Sequence, residues 1–416
     1  MTRQPLHFKN ARLIDPVALS ETQGELVTQG TAISAIGAQL DTPEGAQVID
    51  CKGKALSPGI IDMQAFALDG AAAAAGGITT VALMPNLDPA VDNAAMVDYV
   101  LRLGRDDPDV RVRPMGAATQ GLKGEQIAEI GLMQAAGAVA FASGRKAIAD
   151  SAVMLRLLSY ATRFNALIIQ HAEDPSLTHD ACMTEGELAT RLGLNAAPRF
   201  AEAMMIERDI RLVAGSGGRY HVAQLTTREG IEVVAQAKKK GVTISAGVTP
   251  AHFLLNEMAI QDYRTFAKMS PPLREEMDRR AVLQALADGV IDVITSGHDP
   301  HNEEAKRLPF AQAEVGMVGF ETLLPCALKL YHEDLLSLPA VMAKLTSKPA
   351  ELLGLPSGRL EVGAPADLMV FDPDTPWSIR AEKLRSAAKN TPFDELMVQG
   401  KVLRTICDGY DSYVAE

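Results

Sequence analysis

Ser57-Pro58-Gly59-Ile60-Ile61-Asp62-Met63-Gln64-Ala65-Phe66, followed by Ala71-Ala72-Ala73-Ala74-Ala75-Gly76-Gly77-Ile78-Thr79-Thr80-Val81, reads as strand, helix and strand. An apolar run enters after Pro-Gly, five alanines favour a helix, a Gly pair ends it and a β-branched run takes over. Between the two stretches, Leu68-Asp69-Gly70 either forms a turn or starts the helix directly. The alternation continues down the chain. Short apolar strands are expected at 79–84, 110–117, 138–141, 167–170, 220–224, 243–246 and 290–295, each followed by a helical or loop segment. Over about 300 residues, such βα alternation predicts the α/β class and a (β/α)8 TIM-like barrel. The barrel is expected to span residues 58–357.

Outside that span the texture changes. Residues 6–56 alternate apolar and polar positions in short runs, as in Leu6-His7-Phe8 and Thr31-Ala32-Ile33-Ser34-Ala35-Ile36, broken by Gly and Asp-Pro. Residues 358–371 and 395–403 do the same. The two ends are therefore expected to combine into one small β-sandwich domain, 1–57 plus 358–416. A length of 416 residues suits this division, since a barrel takes about 250–300 residues.

With 47% hydrophobic and 22% charged residues, the composition is that of an ordinary soluble globule. A formal net charge of −12 disfavours nonspecific affinity for nucleic acid or anionic membrane, which reward clustered Lys and Arg. No window approaches the roughly 20 apolar residues of a membrane span, and residues 1–9 lack the apolar core of a signal peptide. A cytoplasmic location is the default expectation. Cys51, Cys182, Cys326 and Cys407 are scattered without a CxxC pair, and are expected as buried or semi-buried thiols.

In such barrels chemistry sits at the C-terminal ends of the strands. His7, His179 and His332 lie in surface-like contexts, which leaves His171, His221, His252, His298 and His301 near strand ends. A hydrolytic zinc site needs about three protein ligands and an open position, so these histidines could supply one metal. His298-Asp299-Pro300-His301 is either a ligand pair or substrate loop, or a hydrogen-bonded turn; His171 is either a ligand or a satisfied polar core residue. No G-x-S-x-G elbow is present, and no cysteine stands beside a plausible base. Gly215-Ser216-Gly217-Gly218 lacks the Lys-Ser/Thr of a P-loop and reads better as a helix-to-strand turn than as a phosphate cradle.

Several stretches together make the chain resemble dihydroorotases of the amidohydrolase superfamily over nearly its whole length. They are Pro58-Gly59-Ile60-Ile61-Asp62, Met84-Pro85-Asn86-Leu87-Asp88-Pro89, His171-Ala172-Glu173-Asp174, Pro271-Pro272-Leu273-Arg274, Ala287-Asp288-Gly289-Val290-Ile291-Asp292, His298-Asp299-Pro300-His301 with Glu304 and Lys306, and Gly363-Ala364-Pro365-Ala366-Asp367-Leu368. The resemblance implies a barrel with a flanking β domain, and ring opening of dihydroorotate in pyrimidine biosynthesis. It also implies that the active site is depleted. The first two metal histidines fall on Gln64 and Phe66, and the bridging carboxylate or carboxylated lysine falls at Ser143, with Lys146 nearby but past a glycine and solvated. The third histidine is kept as His171. The fourth is Gln224, with His221 keeping the first place of that pair, and the aspartate serving as general base is Gly297. Losing such a base alone forfeits about 10²–10⁴ in rate.

Recognition is thinned as well. Only residues 67–75 separate Phe66 from Gly76, so the Arg-bearing loop of catalytic relatives is absent; Asn86 survives, and Ser270 stands where an Asn is expected. The shortened loop leaves the mouth either filled by apolar side chains such as Phe66 and Leu68, or covered by another surface. The stretch from Gly116 to Glu129, with Gly137-Ala138-Val139-Ala140-Phe141, is similar to the noncatalytic dihydroorotase homologue found beside aspartate transcarbamoylase. The leading expectation is thus a metal-free pseudoenzyme that supports the catalytic chain of aspartate transcarbamoylase, in an oligomeric assembly. A second reading is an active cyclic-amide hydrolase with one zinc held by His171, His298 or His301 and Gln224. A third is a binding module in which Asn86, Arg274 and His301 grip a pyrimidine intermediate.

Overall fold

In the computed structural model, which describes residues 3–415, eight parallel strand positions close into a ring. They are β1 (Ile60–Ala65), β2 (Ile78–Leu83), β3 in two pieces (Arg111–Pro114 and Gly116–Ala117), β4 (Phe141–Ala142), β5 (Leu167–Gln170), β6 (Arg219–Val222), β7 (Ile244–Val248) and β8 (Val293–Ile294). β1, β2 and the first piece of β3 form one ladder, and the second piece of β3 carries the pairing through to β8. The ring shuts where the Phe66 N–H donates to the His298 carbonyl at 2.8 Å, next to a parallel bridge between Ala65 and His298. The expected (β/α)8 barrel is present, and the region expected as one strand at 110–117 is interrupted at Met115.

Local sequence explains the opening unit. Asp69 caps the helix Gly70–Ala75, its carboxylate accepting from the Ala72 N–H at 3.2 Å, so the helix starts directly after a four-residue link, 66–69. Gly77 has a φ of +81°, and a Cβ there would lie 2.0 Å from Met369 Sδ, so only glycine fits where this helix turns into β2 beneath the end sheet. Inside the ring, Ile61, Met63, Ala82, Met115, Ala142 and Ile169 pack together, with Leu353 and Leu355 against the same cluster and Phe66 partly buried on it. Full burial of each large apolar side chain contributes roughly 1.5–3 kcal/mol. Outside the ring, Arg228–Lys239 lays Val234 and Ala237 on the barrel and turns its charged residues outward, while Phe200–Ser216 buries Met205, Ile206 and Val213 together with the charged Glu202 and Asp209.

The chain ends build one eight-stranded sheet, with Ala55–Pro58 pairing antiparallel to Leu368–Ser378 in the register Leu56 to Val370. It folds over its own core of Phe8, Leu26, Ile33, Leu56, Leu368 and Ile406. Its far edge returns to the C-terminal segment, where the Ile33 N–H donates to the Ala364 carbonyl at 2.9 Å. The sheet hands over to the barrel between Pro58 and Ile60. The expected outer limits of this domain, residues 1 and 416, lie outside the described residues. His7, expected in a surface-like context, is instead fully buried in this sheet, held by Thr42 at 2.9 Å and Glu25 at 3.0 Å. A run of three residues does not reveal which face of a strand is covered. All four cysteines are buried free thiols. Among the described residues no helix is long and apolar enough to cross a membrane.

Candidate functional site

At the C-terminal end of β1 the Gln64 carboxamide oxygen accepts from Gln224 Nε2 at 3.3 Å and from Thr295 Oγ1 at 3.2 Å. One hydrogen bond thus joins the two glutamines, from β1 and from the loop after β6, across the barrel, and leaves Gln224 Oε1 buried without a partner. Beside them Phe66 lies on the interior cluster, with the Arg145 guanidinium carbon 3.8 Å from its ring centre. Arg145 Nη2 pairs with Asp299 Oδ2 at 2.7 Å, and His301 Nε2 lies 3.3 Å from the other oxygen of Asp299. Asp299 is fixed in turn by its N–H, which donates to the Met317 carbonyl at 2.7 Å. The space left between Phe66, Arg145, Gln224, Ser270, Gly297 and Asp299 is about 20 Å³, room for roughly one water. The mouth is filled by Phe66 under an arginine; Leu68, expected to share that task, packs into the outer core.

A second cluster starts at Ser143, whose hydroxyl accepts from the His171 N–H at 2.9 Å. His171 Nε2 lies 3.3 Å from Glu173 Oε2 and 3.4 Å from Ser270 Oγ. Glu173 Oε1 accepts from Arg274 Nη2 at 2.7 Å, and Arg274 Nε donates to Thr226 Oγ1 at 3.0 Å. The same arginine stands 3.6 Å from Glu202, whose carboxylate accepts from the N–H groups of Thr226 and Thr227 at 3.0 and 2.8 Å. Burial alone would raise the Glu173 carboxyl, but Arg274 and then His171 outweigh it and bring it down to about 2. Glu202 is shifted upward, burial outweighing the opposing pull of Arg274. Arg274, expected to grip a ligand, is therefore committed to two buried carboxylates and is 3% exposed. Its distant partners could not be inferred from the Pro271-Pro272-Leu273-Arg274 motif.

The remaining strand-end histidines have separate partners, and His298 Nε2 is buried without one. His221 Nδ1 meets Ser245 Oγ at 2.8 Å, and burial lowers it to about 3. His252 bridges Thr249 Oγ1 and the Pro271 carbonyl, both at 2.9 Å, and burial lowers it to about 4. His298 stacks on Phe320 with ring centres 3.7 Å apart, accepts from the Gly319 N–H at 3.2 Å, and is lowered by burial to about 4. His298 and His301 thus face different partners and do not form a ligand pair. Asn86 sits beside Gly144 with its Oδ1 buried and unpartnered, and Lys146 is exposed. Gly217, with a φ of 74°, ends the helix Phe200–Ser216, so the Gly215–Gly218 run is a helix-to-strand turn. Among the described residues no three His, Cys, Asp or Glu side chains converge as a metal would require. This donor set does not fit a zinc ion.

A pH prediction follows from the three lowered histidines. In the unfolded chain each takes up a proton near pH 6.5, while in the fold His221, His252 and His298 resist protonation down to about 3 or 4. The unfolded state therefore binds more protons, and stability falls as pH drops below about 6.5. NMR titration should show these three rings neutral between pH 5 and 8; a midpoint near 6.5 for any of them would refute its buried placement.

The Dihydro-orotase-like family profile matches residues 57–230, and an Amidohydrolase family profile matches residues 245–410. A dihydroorotase from Anaplasma phagocytophilum (strain HZ) is 38% identical over 98% of this chain and 95% of its own length. One from Syntrophotalea carbinolica is 38% identical over 97% and 98%. The chain belongs to the dihydroorotase family. Among solved structures, an L-hydantoinase (dihydropyrimidinase) from Arthrobacter aurescens superposes with a TM-score of 0.86 at 25% identity, covering 99% of this chain and 96% of that one. The dihydropyrimidinase from Brevibacillus agri NCHU1002 shares the fold, with a TM-score of 0.86 at 21% identity over 98% and 95%. Within this family fold, the residues that sequence reasoning misses at the mouth are Arg145 and Asp299. The available signal was slight, an arginine directly after the Ser143-Gly144 strand end and an aspartate inside the His298–His301 loop.

Proposed function

We propose that this dihydroorotase-family chain is a noncatalytic member in pyrimidine biosynthesis, acting as a structural and assembly partner of the catalytic chain of aspartate transcarbamoylase. The observation that carries the first half is the set of side chains at the strand ends. At the strand ends where the family resemblance calls for ligands and base, Gln64 bonds Gln224, Phe66 lies under Arg145, and Ser143 and Gly297 offer neither carboxylate nor imidazole. A metal-activated water needs ligands and a dry, open position; the space directly beside Phe66 is about 20 Å³, and the cleft of about 320 Å³ that adjoins it along Arg145, His171, Glu173 and Ser270 brings no further ligand or base to the lost positions among the described residues. The second half rests on the resemblance of residues 116–129 and 137–141 to the noncatalytic subgroup. Fold likeness to hydrolases does not weigh against this reading, because function resides in sites rather than folds.

The test is dihydroorotate hydrolysis by the purified chain in excess zinc, with bound metal counted on the same sample. No turnover and less than one metal per chain are expected. Adding the chain to the purified catalytic chain of aspartate transcarbamoylase should yield a joint complex by size-exclusion chromatography and raise carbamoyl transfer. Turnover with at least one bound metal would overturn the noncatalytic reading, and failure to associate would overturn the partnership.

A further inference from the structure

We propose that the cleft between the end sheet and the helix Phe320–His332 is a binding site for a small phosphorylated polyanion, independent of the barrel mouth. The cleft measures about 270 Å³, close to the lower bound of roughly 300 Å³ for small-molecule sites. Its charged lining is Arg380, Lys383, Arg385 and Lys401 against the single carboxylate of Glu321. That is four cations to one anion, in a chain with 40 Lys and Arg against 52 Asp and Glu. A cleft lined by one sign of charge focuses field between low-dielectric walls and concentrates the opposite ion.

Few of these cations are neutralised by a neighbouring carboxylate. Lys383 and Lys401 form no ion pair among the described residues, and Arg385 lies over the Tyr413 ring, its guanidinium carbon 4.9 Å from the centre. Only Arg380 has a carboxylate partner, Glu395 at 2.8 Å, and both of those side chains are largely exposed. Glu321 does not neutralise the cleft from within. Its two oxygens accept from the backbone N–H groups of Arg385 and Ser386 at 2.9 and 3.1 Å, and burial shifts its carboxyl upward. Its role is to pin the loop that carries Lys383 and Arg385 onto the helix. The opposite wall is Trp377, fixed by its Nε1–H donating to the Gly400 carbonyl at 2.7 Å. Two arginine forks and two exposed ammonium groups suit the several oxygens of a phosphoryl group of charge −2 or more better than a single carboxylate.

Trp377 is the only tryptophan in the sequence, so its fluorescence reports this cleft directly. The experiment titrates the full chain with inorganic pyrophosphate at fixed ionic strength, with sodium chloride and succinate as parallel titrants. Pyrophosphate should give a saturable change whose Kd rises at least tenfold in K383A/K401A. Both lysines are exposed and without ion pairs, so that variant should keep the wild-type Tm. An unsaturable response, an equal response to chloride, or an unchanged Kd in the double variant would each overturn the site. Succinate binding as tightly as pyrophosphate would overturn the phosphoryl assignment.

Discussion

Arg274→Met should destabilise the protein by about 3–5 kcal/mol at neutral pH, the usual consequence of removing one partner from a buried ion pair. Among the described residues the arginine is the only cation in contact with both Glu173 and Glu202, at 2.7 and 3.6 Å, and all three side chains are buried. Without it two carboxylates stay behind in a low-dielectric pocket, each far more costly when ionised than when protonated. The pH dependence separates this cause from lost packing. In the wild type Glu173 is held at about 2 against an ordinary value of 4.5, so its contribution is present above about pH 4.5 and is lost as pH falls toward 2. In the variant both carboxyls are shifted upward, so the fold gains protons and the gap to wild type narrows as pH is lowered from 7 toward 4.5. Urea denaturation of both proteins across that range is the check, and a gap independent of pH would rule out the electrostatic cause.

Gln64→His with Phe66→His should restore no measurable dihydroorotate hydrolysis, even in a sample that retains zinc. The double variant supplies imidazoles at two strand-end positions beside His171, but Gly297 still offers no base, and a missing general base commonly costs about 10²–10⁴. Arg145 and Asp299 also remain across the mouth, paired at 2.7 Å. Nor is the base a simple reversion. Gly297 has a φ of +60°, and a Cβ there would lie 2.9 Å from Thr249 Cγ2, so an aspartate would bring both a left-handed backbone and a side-chain contact. Turnover by the double variant, measured by ring-opening absorbance, would show that the base comes from a residue other than position 297.

Legibility differed by element. The Ala71–Ala75 run, the Gly76-Gly77 exit and the apolar strands announce the barrel, because propensity and periodicity act over a few residues. The end domain was legible for the same reason, from alternation in both termini. The strand-end identities at 64, 66, 143, 224 and 297 were legible as letters too. How those letters are used was not. Arg274 looked available for a ligand and is locked to Glu173, 101 residues away; His7 looked exposed and is buried.

The sequence by itself determined the α/β barrel and its composite β domain through local pattern, and the resemblance to the family then marked Gln64, Phe66, Ser143, Gln224 and Gly297 as positions without imidazole or carboxylate, with His171 kept. Only the tertiary structure decided that Gln64 and Gln224, 160 residues apart, share a hydrogen bond, that Arg145 closes over Phe66, and that among the described residues no metal triad converges. Those outcomes depend on which strand ends the closed ring brings within about 3–4 Å, the reach of a hydrogen bond or ion pair, and spacing along the chain carries no record of that distance.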